Sequence, residues 1–367
     1  MLAMSKPDDT KIAIISDLHF GVHGDSEKWH KIMLDYAKWL GNLLKERQLR
    51  HLFILGDVFD NRKAVGVETM QMAHDFFNTL FEFMGQIGLK ITILAGNHDS
   101  FYEDTAKTSS VSLFSSWPGV DLVADKPQTY VWGPACKMLC CPWGTDMRAL
   151  AETGETWDVI MGHFAISSFA DVPGHLYTGG YTPEEITASA PLVFSGHFHL
   201  RDDKTFKFGG KKKRIVIVGS PYQLNWADAG STKGVHILDV ISKEVEFIEN
   251  TVSPKHVQIN VGDKVSKEEV ENNIVRVMAN SVEEAKQVQS YITELKDFGV
   301  ADIGAKISAI DAVLPEQFVA ESAGVFDQHQ LLVDYIDACD FGDKKEKVKE
   351  IMERIYKMAV AAGKESV

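Results

Sequence analysis

The chain contains few cysteines and lacks any apolar run long enough to cross a membrane. It has 4 cysteines among 367 residues and no C-x-x-C pair, so we interpret all four as reduced thiols. A transmembrane helix needs about 18 consecutive apolar residues, and no segment reaches that length. The N-terminus also lacks the basic start and apolar core of a signal peptide. These absences predict a cytoplasmic protein without a membrane partner.

Positive charge is also scarce. The chain has 38 Lys and Arg against 52 Asp and Glu, a net charge of −14. Proteins that bind nucleic acid usually carry a basic surface, so composition alone argues against DNA as a partner. Bound divalent cations, a local basic patch or a partner subunit would offset that argument. The candidate patches are Arg62-Lys63 and Lys211-Lys212-Lys213-Arg214, for which DNA contact and an ordinary solvated surface both remain open.

Three of the four cysteines fall in one short segment, from Cys136 to the adjacent pair Cys140 and Cys141. A metal clamp is one interpretation of this segment. We favour buried free thiols, because neighbouring residues of a strand point to opposite faces and unpaired cysteine is commonly buried.

Five short polar blocks follow apolar, β-prone segments. Asp-x-His or Gly-Asp alone is a weak signal, because Asp is common in turns. His197 and His199 are more specific, since residues i and i+2 of an extended segment point the same way. Carboxylate, amide and imidazole donors without a thiolate suit hard or borderline divalent metals, so the set predicts a two-metal hydrolytic site. The blocks are Asp17-Leu18-His19, Gly56-Asp57, Gly96-Asn97-His98-Asp99, Gly162-His163 and Gly196-His197-Phe198-His199.

The first hundred residues alternate between two hydrophobic periodicities. Strands are predicted at 11–17, 51–56 and 90–95, and amphipathic helices at 27–47 and 67–85. Strand–helix alternation predicts an α/β layered domain, and α/β sheets place their sites at the carboxyl ends of strands. The polar blocks follow those ends.

The rest of the chain changes character twice. Shorter strands follow residue 120, with hairpin turns at Gly209-Gly210 and near Ser242-Lys243, which predicts the second half of a β-sandwich flanked by helices. We expect a catalytic domain over 1–252, a small α+β capping region that contacts DNA over 253–321, and a helical tail over 322–367.

The tail contains two amphipathic stripes. They pack on the parent domain or dock a partner helix, and the pattern does not separate these alternatives. The stripes are Leu331, Leu332, Tyr335 and Ile336, then Val348, Ile351, Met352, Ile355, Tyr356 and Met358.

The order of the five blocks resembles the calcineurin-like metallophosphoesterase superfamily over about residues 11–200. The segment from Gly56 to Lys63 and the final Gly-His-Phe-His are similar to the SbcD-type nuclease subunit of the double-strand-break repair complex, the meiotic recombination eleven family. The short length and the two-helix tail are most similar to its version in T-even-like bacteriophages. This resemblance implies a homodimeric DNA nuclease, acting in the host cytoplasm if the source is a phage. It would be an exonuclease on duplex ends and an endonuclease on single strands or hairpins.

The resemblance also implies cofactors, a partner and ligand roles. The cofactors would be two Mn²⁺ ions, with Mg²⁺ as an alternative, and an SMC-like ATPase would dock on the C-terminal helices. Asp57 would bridge both ions. The other implied ligands are Asp17, His19 and His199 for the first ion, and Asn97, His163 and His197 for the second.

Three further residues receive roles from the resemblance. His98 would not bind metal; it would contact the scissile phosphate and help the leaving oxygen as an acid or an orienting group, and Asp99 would orient His98. Asp60 stands where archaeal and eukaryotic members have a second active-site histidine, so we expect it to hold the loop or a ligand. Arg62 and Lys63 follow Asp57 closely along the chain and are candidates for contacting DNA phosphates, with an ordinary surface pair as the alternative.

A phosphomonoesterase or small-molecule phosphodiesterase on the same metal core is the alternative function. Protein phosphatases of the superfamily typically have Glu where this chain has Asp99, and Arg-Gly where it has Asn61-Arg62. These differences favour the nuclease.

Overall fold

The computed structural model describes residues 2–3, 10–132, 134–307, 336 and 345–364. The strands are β1 (Leu2–Ala3), β2 (Lys11–Ile15), β3 (His51–Ile54), β4 (Lys90–Leu94), β5 (Val120–Val123), β6 (Gln128–Trp132), β7 (Cys136–Cys141), β8 (Val159–His163), β9 (Ala170–Val172), β10 (His175–Leu176), β11 (Leu192–Gly196), β12 (Asp202–Phe208), β13 (Lys211–Ile217), β14 (Gly234–Asp239), β15 (Val245–Glu249), β16 (His256–Asn260), β17 (Ile274–Ala279) and β18 (Asp302–Ile307). The helices are α1 (Val22–Asp25), α2 (Glu27–Glu46), α3 (Val67–Met84), α4 (Met147–Glu152), α5 (Pro183–Ile186), α6 (Lys267–Val270), α7 (Val282–Lys296) and α8 (Lys345–Lys364).

Two large sheets carry the fold. The first has the strand order β1-β6-β7-β8-β11-β13-β12, and the second has the order β15-β14-β2-β3-β4-β5. In the second sheet β2, β3, β4 and β5 run parallel. In the first sheet β7, β8, β11 and β13 run parallel. The molecule is therefore a mixed α/β protein built on two sheets with helices on their outer faces, as the sequence predicts.

Alternation along each strand explains the layers. Ile12 and Ile14 of β2 belong to one apolar core, which they share with residues of both large sheets. Ala13 and Ile15 point the other way, into a core that α2 and α3 complete. Period-2 alternation with both faces apolar is what a strand buried on both sides requires.

The cysteine segment follows the same rule. Cys140 lies in the core between the sheets and Cys141 in the core on the opposite face of β7. Both thiols are free and buried, and burial raises the pKa of each. The interpretation as buried free thiols is confirmed for this segment, whereas Cys339 lies outside the described residues.

The predicted helices and hairpins of the large sheets are confirmed. The buried residues of α2 recur at helical spacing, including Trp29, Met33, Tyr36 and Leu40. The hairpin β12–β13 turns at Gly209-Gly210, and the hairpin β14–β15 turns around Ser242-Lys243.

The chain beyond the second hairpin begins with a small three-stranded sheet, β16-β17-β18. The chain divides into two compact units, one of Met1–Val277 with Gln289–Ala305 and the other of Met278–Val288 with Lys306–Val367. The predicted domain boundaries stay predictions, and the one at 321 lies outside the described residues. So do Leu331, Leu332 and Tyr335 of the first tail stripe. None of the described helices has the length and apolar character that a membrane span requires.

We expect His236 on β14 to make the free energy of unfolding sensitive to acid. Both its ring nitrogens are buried without a hydrogen-bond partner, and burial lowers its pKa from 6.5 to about 3. Because the folded-state pKa lies below the unfolded-state value, stability is complete above pH 6.5 and falls as pH drops towards 3. The loss is about 1.4 kcal/mol per pH unit.

We expect His236→Phe to flatten this dependence. The substitution keeps an aromatic ring beside Phe247, which lies 5.0 Å away between ring centroids, and removes the titrating group. Denaturant unfolding at pH 7, 6 and 5 would measure the effect, with His74→Phe on the exposed face of α3 as the control. Identical pH slopes for the wild type and His236→Phe would contradict the prediction.

Candidate metal centre

The polar blocks converge where the parallel strands of both sheets end. Asp17, Asp57 and Asn97 follow β2, β3 and β4 of one sheet, while His163 ends β8 and His197 follows β11 of the other. Backbone pairing continues beyond the strands: Asp17 N–H donates to Gly56 O at 3.0 Å and His19 N–H donates to Asp57 O at 3.0 Å. The loops are therefore fixed to one another before any side chain acts.

Glycine is required where these strand ends approach most closely. A Cβ on Gly56, whose φ is +97°, would lie 2.5 Å from His163 Nδ1. A Cβ on Gly96 would overlap Asp57 Oδ1. The glycines of the motifs thus allow two sheets to bring their ligands together.

Four of the candidate ligands have a left-handed backbone conformation. The φ angles are 58° at Asp17, 51° at His19, 51° at Asp57 and 88° at His197. This conformation is uncommon for residues other than glycine, and such strain costs about 1–3 kcal/mol per residue and concentrates at functional sites. The fold pays this cost to direct these side chains into one place.

The first donor cluster consists of Asp17, His19 and His199, whose candidate ligand atoms all lie within 4.8 Å of one another. His19 Nε2 and His199 Nε2 face each other at 3.1 Å. Asp17 accepts the backbone N–H of His197 at 3.2 Å. Burial raises the pKa of the Asp17 carboxyl, so its charged form calls for a nearby cation.

The second donor cluster consists of Asp57, His163 and His197, again within 4.8 Å of one another. Asn97 completes it, because Asn97 Oδ1 lies 2.9 Å from His163 Nε2 and 2.8 Å from His197 Nδ1. His163 Nδ1 donates to Leu55 O at 2.6 Å. In neutral His163 the lone pair is therefore on Nε2, which faces the other donors.

Asp57 joins the two clusters. Its Oδ1 accepts the backbone N–H of His98 at 2.8 Å. Its Oδ2 lies 3.3 Å from His163 Nε2 in the second cluster and 3.8 Å from His19 Nε2 in the first. One oxygen thus holds the loop while the other faces both donor sets, which is the placement that a bridging ligand needs.

Asp60 contacts two histidines of the site at once. Its carboxylate Oδ1 accepts the His19 Nδ1–H at 3.0 Å, which leaves the His19 Nε2 lone pair towards the first cluster. Its backbone oxygen accepts the His98 Nδ1–H at 2.6 Å. These contacts join Asp60 to a candidate ligand and to the loop of His98, and its expected role in holding the loop or a ligand stays a prediction.

The carboxylate of Asp99 contacts the backbone of two loops of the site. Its two carboxylate oxygens accept the backbone N–H groups of Phe59 at 3.0 Å and Gly96 at 2.9 Å. The ring of His98 is held by Asp60 O, so none of these hydrogen bonds of Asp99 reaches the His98 ring, and the role of Asp99 in orienting His98 stays a prediction. Asp99 ties the Asp57 loop to the Asn97 loop. The sequence did not reveal this, because neighbours in a turn commonly point apart.

His98 lies at the edge of the site and is partly exposed. Its ring centroid lies 4.9 Å from that of His19. Candidate ligand atoms of His19, Asp60 and His98 also lie within 4.8 Å of one another. Geometry alone therefore permits His98 either as a ligand or as a substrate contact.

The charges of the site are mutually compensating. Burial favours the neutral form of both Asp57 and His163, but their mutual attraction outweighs it. The charge and hydrogen bond of His163 lower the pKa of Asp57, and Asp57 raises the pKa of His163 to about 9. Burial, followed by the charge of His163, lowers the pKa of His197 to about 4.

The donor set fits two divalent ions. It combines carboxylates, one amide oxygen and imidazoles whose ligand atoms converge, without any thiolate among the described residues. Two imidazole nitrogens that face each other at 3.1 Å share at most one N–H, whereas a cation between such groups accepts both lone pairs. Borderline ions such as Mn²⁺ and Zn²⁺ accept this mixture.

We expect metal loading to release protons. His163 has a pKa of about 9 in the metal-free protein and must be neutral to coordinate, so its proton leaves at pH 7. Apparent metal affinity should rise about tenfold per pH unit between pH 7 and 9 through this proton. Calorimetric titration with Mn²⁺ in two buffers of different ionisation enthalpy would measure it, with His74→Ala as a control that matches the wild type. Equal heats in both buffers would contradict the expectation.

A buried ion pair beneath the first cluster was not predicted from the sequence. Lys233 Nζ donates to Asp228 Oδ1 at 2.6 Å, to Ser220 Oγ at 2.9 Å and to His199 O at 2.7 Å. The side chains of Lys233 and Asp228 are 4% and 2% exposed. The pair anchors the backbone of His199, and an isolated lysine in a glycine-rich segment offered no signal for it.

Trp143 was missed as well. Its indole ring lies 5.4 Å from the ring of His197 and 6.0 Å from that of His163. The backbone N–H of Trp143 donates to Ala95 O at 2.8 Å, which joins the end of β7 to the end of β4. The indole thus forms one side of the second cluster.

The basic residues differ in position. Arg62 and Lys63 follow the Asp57 loop, and Arg62 Nη1 lies 3.8 Å from Glu103. Lys211 begins β13, which runs parallel to β11, so the run from Lys211 to Arg214 starts at the opposite end of the sheet from the metal centre. Lys213 Nζ donates to Thr187 O at 2.6 Å, and Arg214 pairs with Asp203 at 2.6 Å. Lys213 and Arg214 therefore make contacts within the fold, and the run does not face the metal centre.

The sequence of this chain is similar to a known family and to a phage protein. A family model described as "Calcineurin-like phosphoesterase" matches residues 10–201. The protein named "Exonuclease subunit 1" of Enterobacteria phage T4 is 26% identical over 338 residues, which cover 89% of this chain and 92% of the phage protein. A crystal structure of a dimetal phosphatase from Danio rerio matches 66% of this chain and 96% of its own, with 8% identity and a TM-score of 0.37. Because the family model covers more than half of the chain, the chain belongs to the calcineurin-like phosphoesterase family.

Proposed function

We propose that this protein is a two-metal DNA nuclease that hydrolyses phosphodiester bonds. The observation that carries the proposal is Asp57 Oδ2, which faces two donor clusters at once. Family membership supports hydrolysis of a phosphoester. The relative named as an exonuclease subunit, similar along most of this chain, supports DNA as the substrate.

We assign the first ion to Asp17, His19, His199 and Asp57, and the second to Asp57, Asn97, His163 and His197. Bound divalent ions supply Lewis acidity towards the phosphate and the attacking water. Mn²⁺ is our proposed ion because imidazole and carboxylate donors are mixed, and Mg²⁺ is the alternative.

His98 is our candidate general acid. Its Nδ1–H is donated to Asp60 O, so a second proton on the ring sits at Nε2. The side chain is partly exposed beside the clusters, where that proton can pass to the leaving oxygen of the substrate. Asp60 then acts as a positioning residue for both His98 and His19.

DNA contacts are proposed for Arg62 and Lys63. Lys63 is exposed and Arg62 partly exposed, both on the loop that carries Asp57 and Asp60. A phosphate neighbouring the cleaved one would compete with Glu103 for Arg62. Such contacts would make binding salt-dependent.

Cleavage of end-labelled DNA in Mn²⁺ tests the proposed function. Blunt duplex, single-stranded and hairpin DNA would be compared with p-nitrophenyl phosphate, with EDTA as the control. We expect metal-dependent cleavage of DNA, from duplex ends and within single strands. Hydrolysis of p-nitrophenyl phosphate without cleavage of any DNA would overturn the proposal and favour a phosphomonoesterase.

We further propose a homodimer that docks an SMC-like ATPase through its tail, in the cytoplasm of a host cell. The word "subunit" in the name of the phage relative supports an assembly. Within α8, Ile351 is 43% exposed, so an apolar position of the predicted stripe faces outward. Deletion of 322–367 should abolish capture of the ATPase while DNA cleavage persists, and unchanged capture would contradict the docking role. Light scattering tests the dimer.

A further inference from the structure

Two aromatic side chains beside the metal centre are exposed. Phe101 is 50% and Tyr102 53% exposed, and among the Phe, Tyr and Trp residues whose side-chain burial the structure describes, no other is exposed. Both directly follow the Asn97–Ser100 loop. Large exposed rings are costly to leave in water, so a pair of them at a reaction site is a candidate contact surface.

The segment that carries the rings is held in place. Phe101 N–H donates to Thr108 O at 2.9 Å, and Ser100 pairs with Ser109 in an antiparallel bridge. The two rings meet edge to face, with centroids 5.0 Å apart at 85°. A surface that is already ordered loses little entropy when it binds a ligand.

Both ends of this segment are tied to the second donor cluster. On one side, Ser100 Oγ donates to Gly96 O at 2.6 Å, next to Asn97. On the other side, Trp143 Nε1–H donates to Glu103 O at 2.7 Å, and the Trp143 ring lies 5.4 Å from that of His197. Two residues of extended chain span at most about 7 Å, so the backbone of Phe101 and Tyr102 stays close to these two anchors beside the second donor cluster.

We propose that Phe101 and Tyr102 form a stacking platform for an unpaired nucleobase next to the cleaved phosphodiester. The inference rests on the proposed nuclease function and names the part of the substrate that this rim recognises. Every base has a π-face, so stacking on aromatic residues binds single strands without sequence preference. Stacking also needs no positive charge, which suits a chain with a net charge of −14.

A second copy of the chain is the competing occupant, and the surroundings disfavour it. The rings are followed at once by Glu103 and Asp104, both exposed, and the Glu103 side chain is 93% exposed. The centre of a stable dimer interface is depleted in such charges. A lone ring pair with acidic neighbours fits a single flat base better than a broad apolar contact.

The proposal is tested by removing the aromatic rings from the protein and the bases from the DNA, separately and together. The variants are Phe101→Leu/Tyr102→Leu, which keeps apolar bulk without π-faces, and Tyr102→Phe, which keeps both rings. The probes are fluorescein-labelled dT10 and a ten-residue abasic strand with the same backbone. Affinity is measured by anisotropy with Ca²⁺ replacing Mn²⁺, and cleavage of both strands is then measured in Mn²⁺.

We expect the double Leu variant to bind dT10 about tenfold more weakly, with a matching rise in KM and little change in kcat. The abasic strand should bind wild type and variant equally, Tyr102→Phe should behave as wild type, and metal content should not change. Equal losses on both strands, or no loss on either, would overturn the platform. If light scattering showed that the double Leu variant has a lower molar mass than the wild type, and this change explained its weaker DNA binding, the rings would instead contact a second copy of the chain.

Failure of the stacking platform can be distinguished from failure of the proposed nuclease function. If the wild type hydrolyses p-nitrophenyl phosphate but neither strand, the nuclease proposal fails, and anisotropy still decides the platform. If, in that case, the wild type still binds dT10 more tightly than the abasic strand while the double Leu variant binds both equally, the result would support a base-binding rim on a different enzyme. Equal affinity of the wild type for the two strands would reject it.

Discussion

Asp57→Asn is expected to leave fewer than two bound metal ions per chain and to lower DNA cleavage by at least about a thousandfold. The amide keeps an oxygen to accept the His98 backbone N–H, so the loop is retained. The shared negative charge between the clusters is lost, however, and two-metal catalysis is worth several kcal/mol, with each 1.36 kcal/mol equal to a factor of about ten in rate. Metal analysis by mass spectrometry and cleavage assays in Mn²⁺ would measure both effects.

Asp75→Asn is the matched control for this change. Asp75 is a partly exposed aspartate on α3 that accepts a hydrogen bond from Gln71 and lies beside His74, so its substitution removes the same charge outside the donor clusters. It should retain both ions and full activity. If Asp57→Asn retained two ions and cleaved DNA at the wild-type rate, Asp57 would not bridge the ions.

His98→Ala is expected to keep both ions and to lose about 10²- to 10⁴-fold in cleavage rate, the usual contribution of a general acid. The ring contacts Asp60 O and is partly exposed, so its removal should change the unfolding temperature little. His74→Ala, an exposed histidine on α3, is the control.

Metal content decides between the two roles that geometry allows for His98. Loss of an ion as complete as in Asp57→Asn would make His98 a ligand, together with His19 and Asp60. A general acid also predicts that removing His98 makes the cleavage rate more sensitive to the pKa of the leaving group's oxygen, because that oxygen then departs without a proton. A series of substituted phenyl phosphodiesters measures this sensitivity, and an unchanged dependence with both ions retained would be inconsistent with an acid.

The core elements were predictable because their patterns are local. Residues such as Ile12 to Ile15 alternate between two apolar cores, and period-2 apolar patterning encodes a strand within a few residues. The stripe along α2 encodes a helix in the same way. The donor types were predictable too, since carboxylate, amide and imidazole groups follow strand ends along the chain.

Contacts between distant loops were not predictable from such patterns. Sequence analysis assigned Asp99 to His98, its neighbour in the chain, and did not predict its hydrogen bond from the Phe59 N–H, 40 residues away. Lys233 escaped notice because its partners lie at His199 and Asp228. Lys213 and Arg214 looked like a free basic run until their partners Thr187 and Asp203 were known.

The sequence by itself therefore determined the strands, the helices and the chemical kinds of donor, because each depends on residues within one or two turns of the chain. Only the tertiary structure decided which donors face one another, which nitrogen of each histidine is free and which oxygen of Asp57 is shared. Those choices depend on hydrogen bonds between residues such as Asp17 and His197, 180 positions apart. They arise when two sheets meet at their strand ends, a condition that no local pattern encodes.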